Sequence, residues 1–268
     1  MTFSPKRNLL ITGANKGIGY GIVKKLLADL TPYNIIFTSR TEKAGQQALE
    51  ILKANYPNSV STLICHQLDV TDPNSIENLA SWYQKNFGKL EVLINNAGAV
   101  GGNTTEGKET ALKTNYFGVL AMNEKFLPLL SDDAKIINIS STMGQLSEQD
   151  ERLRGILSDE NLTEIQLNET AESVLEIVKD SDSSFGIYPA TKALLNTYIR
   201  RVLPEKVKAG QQIYAVHPGW VKPEAGGPDA PLSVEEAAND IMSVINLPFK
   251  RDERFNGKFI HKMEVISW

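Results

Sequence analysis

Short apolar runs alternate along the chain with longer segments whose apolar residues recur every three or four positions. That rhythm predicts a parallel sheet flanked by helices. Leu9-Leu10-Ile11-Thr12 reads as a buried first strand, and residues 17–29 as a helix with Ile18, Ile22, Val23, Leu26 and Leu27 along one side. Ile35-Ile36-Phe37-Thr38-Ser39 is a second strand. Residues 41–55 form a helix expected to bury Ala44, Ala48, Leu49, Ile51 and Leu52. Residues 60–68 look extended. Thr71-Asp72-Pro73 sets a polar cap before a proline, the start of a helix running to about Phe87. Leu90 to Asn95 is the next strand, 114–130 a long helix, and Ala134 to Ser140 a strand with Ile136, Ile137 and Ile139 buried. The pattern resumes with a helix over 188–208, a strand at Gln212 to Val216, a helix over 233–245 and a last strand at Lys258 to His261. Ser233-Val234-Glu235-Glu236 fits a capping box. The expected class is α/β: a doubly wound, Rossmann-type parallel sheet with helices on both faces, in a single domain over residues 1–268.

Residues 145–183 interrupt this order. They are polar and acidic, with Leu162, Ile165, Leu167, Val174, Leu175, Ile177 and Val178 spaced for one or two amphipathic helices. With 41% hydrophobic and 22% charged residues the composition is that of an ordinary globular protein, which excludes disorder and collagen. The net charge of −4 offers no basic excess for nucleic acid or an anionic membrane. Cys65 is the only cysteine, so no internal disulfide is expected; with three scattered histidines, no metal site is expected either. The apolar run after the first residues is too short for a signal peptide or a membrane span, so a soluble cytoplasmic protein is expected.

Thr12-Gly13-Ala14-Asn15-Lys16-Gly17-Ile18-Gly19 joins the first strand to the first helix. Glycines there allow positive φ and close approach of backbone to a ligand, and the helix N-terminus favours a pyrophosphate. The same turn also serves as a tight strand–helix connection. It is neither a P-loop nor the common Gly-x-Gly-x-x-Gly fingerprint. At the end of the second strand an acid suits the ribose hydroxyl of NAD and an arginine the 2′-phosphate of NADP. Ser39-Arg40-Thr41 stands there, with no carboxylate before Glu42, and Lys16 adds a second cation. This favours NADP; two solvated surface charges are the alternative. Asp69-Val70 ends the third strand, where a carboxylate accepts from an adenine amino group or simply caps a helix.

Tyr188-Pro189-Ala190-Thr191-Lys192 puts a phenol and an ammonium one helical turn apart. The ammonium favours the phenolate and should lower the phenol from its usual pKa of about 10. A tuned tyrosine then serves as general acid for carbonyl reduction and as base for the reverse. Taken alone, the pair is equally a surface feature. Asn95-Asn96-Ala97-Gly98 closes the fourth strand, Asn115 lies in Lys113-Thr114-Asn115-Tyr116-Phe117-Gly118, and Ser140-Ser141 closes the fifth. Ligands of such sheets sit beyond the carboxyl ends of the strands, where these residues and Pro218-Gly219 would converge.

In that order and at those intervals, over nearly the whole chain, the motifs resemble the short-chain dehydrogenases/reductases. Asn15-Lys16, Pro218-Gly219-Trp220-Val221 and Trp268 resemble the carbonyl reductases among them. The resemblance implies that Tyr188 delivers a proton, that Lys192 lowers its pKa and binds the nicotinamide ribose, and that Ser141 holds the substrate oxygen. It implies that Asn115 bends its helix and holds a water in a relay to Lys192. NADPH would bring the hydride, held by Gly13, Asn15, Lys16, Gly17, Ile18 and Gly19, by Arg40, Asp69 and Val70, by Asn96, Ala97 and Gly98, by Tyr188 and Lys192, and by Pro218, Gly219 and Val221. The implied substrate is a small-molecule ketone, aldehyde or quinone. Oxidation of a steroid, terpene or sugar alcohol and a role as an NADPH-binding sensor are the alternatives.

The chain departs from the family in three places. Ser141 and Tyr188 stand 47 positions apart, and the extra 145–183 segment would cover the helices that other members use to form tetramers. A monomer is expected; a mobile acidic lobe would still allow dimers. Pro189 requires the helix to begin close to Tyr188, with Phe185-Gly186-Ile187 irregular. Lys222-Pro223-Glu224 replaces a threonine that usually binds the coenzyme. Met143 and Trp220 line a substrate pocket or pack in the core, His217 packs or caps, and Trp82 and Tyr83 pack.

Overall fold

The computed structural model describes residues 6–179, 185–222 and 229–268. The apolar runs become parallel strands and the amphipathic segments become the crossovers between them. The chain begins β1 (Arg7–Ile11), α1 (Gly17–Ala28), β2 (Tyr33–Ser39), α2 (Glu42–Asn55), β3 (Thr62–Gln67), α3 (Pro73–Asn86) and β4 (Leu90–Asn95). It continues with α4 (Thr105–Leu112), a five-residue π-helical turn (Lys113–Phe117), α5 (Gly118–Phe126) and β5 (Leu130–Ile139). Then come α6 (Glu151–Ser158), α7 (Glu164–Ile177), α8 (Tyr188–Thr197), α9 (Leu203–Lys206) and β6 (Gln212–Val216), and finally α10 (Val234–Ile245), β7 (Lys258–His261) and β8 (Glu264–Ile266).

The sheet order is β3-β2-β1-β4-β5-β6-β7-β8, parallel except for the last pair. The expected doubly wound α/β class is therefore correct. Strand order reverses between β1 and β4, which opens a crevice beyond their carboxyl ends. Successive strand residues point to opposite faces, and both faces are buried. Leu10, Ile36, Leu93 and Ile136 pack with α3, α5 and α8; Leu9, Ile11, Phe37 and Ile94 pack with α1, α2 and α10. Asp72 caps α3 through the Asn74 N–H, and Ser233 and Glu236 form the expected capping box on α10.

Four expectations are corrected. The helix expected over 114–130 starts earlier, at Thr105, changes to a π turn around Asn115, and stops before Leu130, which already belongs to β5. Ile51 is 54% exposed because Gly45, Ala48 and Leu52 define the buried stripe of α2. Ile165 is 71% exposed on α7. Finally, β7 does not end the sheet: β8 turns back and pairs with it.

The 145–183 segment docks two helices on the sheet face that carries α8. Leu153, Leu157, Leu167, Ala171 and Val174 are buried in the same core as α8. Tyr116 Oη donates to Asn168 Oδ1 at 2.8 Å, Arg201 donates to the Glu160 carbonyl at 2.7 Å, and Lys206 pairs with Glu164 at 2.8 Å. Among the described residues no helix is long and apolar enough to cross a membrane.

Candidate active site

The glycine turn sits on a frame of hydroxyls. Thr12 Oγ1 accepts from the N–H groups of Asn96 and Ala97 at 3.0 and 2.9 Å. Asn96 Nδ2 donates back to the carbonyls of Thr12 and Gly13 at 2.8 and 3.0 Å. The carboxyl ends of β1 and β4 are thereby tied together across the switch point. Thr38, on β2, accepts from the Gly13 N–H through Oγ1 at 3.1 Å. Its role is not legible in the sequence, because it depends on the register of β2 beside β1.

The turn fits a phosphate group. Gly13 and Gly17 have φ of +62° and +58°, a region that favours glycine. A Cβ on Gly19 would lie 2.5 Å from Asn96 Nδ2 and 2.8 Å from Ala14 Cα. Side chains cap the N-termini of α2, α3, α4, α6, α7 and α10. The N-terminus of α1, by contrast, has no capping side chain and no acid in its first turn. Its N–H groups thus suit an anion. Asn15, Lys16 and Ile18 line the turn, with Lys16 exposed, and Arg40 is exposed at the end of β2. These residues fit a dinucleotide carrying a 2′-phosphate. The Asp69 carboxylate accepts from the N–H and hydroxyl of Thr71 at 2.9 and 2.7 Å; it folds the turn before α3, and Asp72 is the cap. Val70 is buried beside it, its carbonyl 2.8 Å from where a Cβ on Gly118 would lie. Gly98 lies close to Asn115, 3.5 Å from a Cβ built on it to Asn115 Oδ1.

The reactive groups gather beyond β5. The pleat separates the two serines: Ser140 Oγ donates to Asn196 Oδ1 on α8, whereas Ser141 hydrogen-bonds the Tyr188 phenol. Ser141 Oγ also accepts from the Met143 N–H at 3.2 Å. Pro189 falls in the first turn of α8, which opens at Tyr188 after an irregular Phe185-Gly186-Ile187 in which Gly186 has φ of +57°. Lys192 is buried, and its Nζ donates to the Ile139 carbonyl at 2.8 Å, 5.7 Å from the centre of the Tyr188 ring. Gly144 packs against the Lys192 main chain, 2.6 Å from a Cβ built there.

The electrostatics depart from the spacing argument. Burial raises the Tyr188 phenol to about 12, with the Ser141 hydrogen bond pulling the other way, and burial lowers Lys192 to about 8. The expectation of a lowered phenol is thus corrected: removal from water outweighs an ammonium that is itself desolvated and turned to a carbonyl.

Asn115 occupies the π turn, so its helix is locally widened. Its side chain is fully used: Nδ2 donates to the Ala99 carbonyl at 2.7 Å and Thr191 Oγ1 at 2.9 Å, and Oδ1 accepts from the Ala99 N–H at 2.9 Å. Thr191 passes the contact on to the Tyr188 carbonyl at 2.8 Å, a link hidden between Tyr188 and Lys192 in the sequence. His217 lies near the Thr142 N–H and beside His261, and burial holds it down to about 4, in keeping with packing. Tyr83 is in the core and Trp82 packs against it. Pro218 and Val221 are buried, Gly219 has φ of +85°, and Trp220 is 50% exposed. Pro223 and Glu224, where the chain departs from the family, lie outside the described residues.

The sequence profile of the short chain dehydrogenase family matches residues 7–150. The chain is 36% identical to the (+)-neomenthol dehydrogenase of Arabidopsis thaliana, over 98% of each chain. It is 33% identical to the NADPH carbonyl reductase 1 of Sus scrofa, over 99% of this chain and 95% of that one. Among solved structures, salutaridine reductase from Papaver somniferum superposes with a TM-score of 0.84 at 29% identity, covering 95% of this chain and 99% of that one.

Proposed function

The chain belongs to the short-chain dehydrogenase/reductase family of oxidoreductases, and from that premise we propose that it is an NADPH-dependent reductase of ketones, aldehydes or quinones. The observation that carries this reading is the gathering of Ser141, Tyr188 and buried Lys192 beyond β5, with Lys192 Nζ 5.7 Å from the centre of the Tyr188 ring, beside the frame at Gly13 and Asn96. The relative named as an NADPH carbonyl reductase supports the coenzyme, as do Arg40 and Lys16.

When bound, the reduced nicotinamide supplies hydride. Ser141 donates a hydrogen bond to the carbonyl oxygen and stabilises the charge that develops there. Tyr188 gives that oxygen its proton. Burial keeps the phenol protonated at neutral pH, so it has this proton to give. Lys192 supplies positive charge beneath the phenol and a donor for the nicotinamide ribose. Asn115 fixes the start of α8 through Thr191 and widens its own helix for a water leading toward Lys192.

The 268 residues are read as one cytoplasmic domain with a helical insertion at 145–183. Because α6 and α7 cover α8, a monomer is proposed. A second reading, a terpenoid alcohol dehydrogenase, is favoured by the 36% identity to a neomenthol dehydrogenase. Absorbance decay of NADPH with a panel of aromatic ketones, aldehydes, quinones and cyclic terpenoid ketones tests both. Turnover on the first three classes supports the main reading; turnover confined to terpenoid ketones, reversed efficiently with NADP, supports the second. No turnover on any class would remove both.

A further inference from the structure

The parallel ladder between β2 and β3 ends at the pair Ser39 and Gln67, with Leu68 donating to the Ser39 carbonyl at 2.9 Å. The main chains then leave the sheet for Arg40 and for Asp69. From this point side chains continue the pairing. The Asp69 N–H donates to Ser75 Oγ at 3.0 Å, Ser75 Oγ donates to Gln67 Oε1 at 3.1 Å, and Gln67 Nε2 donates to the Arg40 carbonyl at 3.0 Å. The partners settle the orientation of the amide: the carbonyl of Arg40 can only accept, so Nε2 must face it. Ser75 is 5% exposed in the first turn of α3, so the far end of the relay is anchored in a fixed element.

We propose that Gln67 is a positioning residue for coenzyme selectivity. Held by Ser75, its side chain adds one rung beyond the end of the ladder and fixes the main chain from which the Arg40 guanidinium reaches a 2′-phosphate. This inference rests on the NADPH reading above and deepens it. Arg40 is exposed, and its long side chain would otherwise have to be ordered at the moment of binding. Fixing its base lowers that cost. Gln67 touches neither the nicotinamide half of the site nor the groups at Ser141 and Tyr188, so its effect should fall on affinity and not on the chemical step.

The test measures dissociation constants for NADPH and NADH in binary complexes, by tryptophan fluorescence, with steady-state rates alongside. Gln67→Met keeps the length and removes both hydrogen bonds, and the exposed position admits it. NADPH should bind about fivefold more weakly, as expected for one lost hydrogen bond, with NADH and kcat changed less than about twofold. Gln67→Glu keeps the acceptor for Ser75 but turns a negative oxygen toward Arg40, so NADPH should weaken further. In an Arg40→Ala background, Gln67→Met should no longer alter NADPH binding, because it acts through the missing guanidinium. Equal weakening of both coenzymes, unchanged NADPH binding, or a full effect in the Arg40→Ala background would overturn the proposal. A wild-type protein that binds both coenzymes alike would instead remove the NADPH reading itself.

Discussion

Replacing Lys192 with methionine should stabilise the protein while removing its activity. Lys192 is 4% exposed and the pKa of its amine falls from 10.5 to about 8, so it is still charged at pH 7. Keeping that charge out of water costs about 3 kcal/mol, at roughly 1.4 kcal/mol per pH unit. Methionine has a similar length and no charge. The substitution leaves the Ile139 carbonyl without its 2.8 Å donor, a loss of about 1–2 kcal/mol. The balance is a gain of about 1–2 kcal/mol, or about 2–6 °C in Tm for a chain of this size. The folded pKa lies below the unfolded one, so between pH 8 and 10.5 the unfolded chain binds more protons and wild-type stability rises with pH. The advantage of the variant is therefore widest below pH 8, shrinks as pH rises and reverses by pH 10.5, where only the lost hydrogen bond remains. Calorimetry at several pH values, paired with kcat, reads all of this. A variant that melts below wild type at pH 7, or an advantage that does not shrink with pH, would refute the reasoning. So would a loss in kcat smaller than about a hundredfold, the low end for a group on which proton transfer depends.

Three further outcomes are expected. Arg40→Ala should weaken NADPH binding about tenfold or more, the range of a charge-assisted hydrogen bond, and spare NADH, as read by isothermal titration. Gly19→Ala places a methyl 2.5 Å from Asn96 Nδ2 and 2.8 Å from Ala14 Cα, and should cost about 1–3 kcal/mol in denaturant unfolding and raise the coenzyme KM. Because the Tyr188 phenol is raised to about 12, reduction should not lose its proton donor through neutral pH, while oxidation of the product alcohol should climb steadily as pH rises above neutrality. An oxidation rate that levels off near pH 7 would contradict the raised phenol.

Continuous apolar runs are informative because a strand buried on both faces has no polar side to blur it. This is why β4 and β6 were located to the residue, Leu90 to Asn95 and Gln212 to Val216. Short or mixed elements were harder. In α4 only Ala111 and Leu112 are buried, so its sequence carries almost no helical stripe, and its start at Thr105 went unread. The three-residue β8 gains its place from pairing with β7, which no local pattern encodes. At the site, the spacing of Tyr188 and Lys192 and the doublet Ser140-Ser141 were legible because each follows one helical turn or one pleat. The hydroxyls of Thr38 and Thr191 were not, since their partners at Gly13 and Asn115 are distant in sequence. The raised phenol escaped for a related reason: spacing reports the neighbouring charge but not how far both groups are removed from water.

The central claim is that the Tyr188 hydroxyl delivers the proton that completes carbonyl reduction. Its most direct test is a comparison of wild type and Tyr188→Phe, each saturated with NADPH and mixed with a carbonyl substrate, with coenzyme oxidation and coenzyme affinity followed in the same samples. The expected result is a fall in rate of about 10²–10⁴, the usual contribution of a general acid, with NADPH affinity unchanged within twofold. An unchanged rate in the phenylalanine variant would contradict the claim.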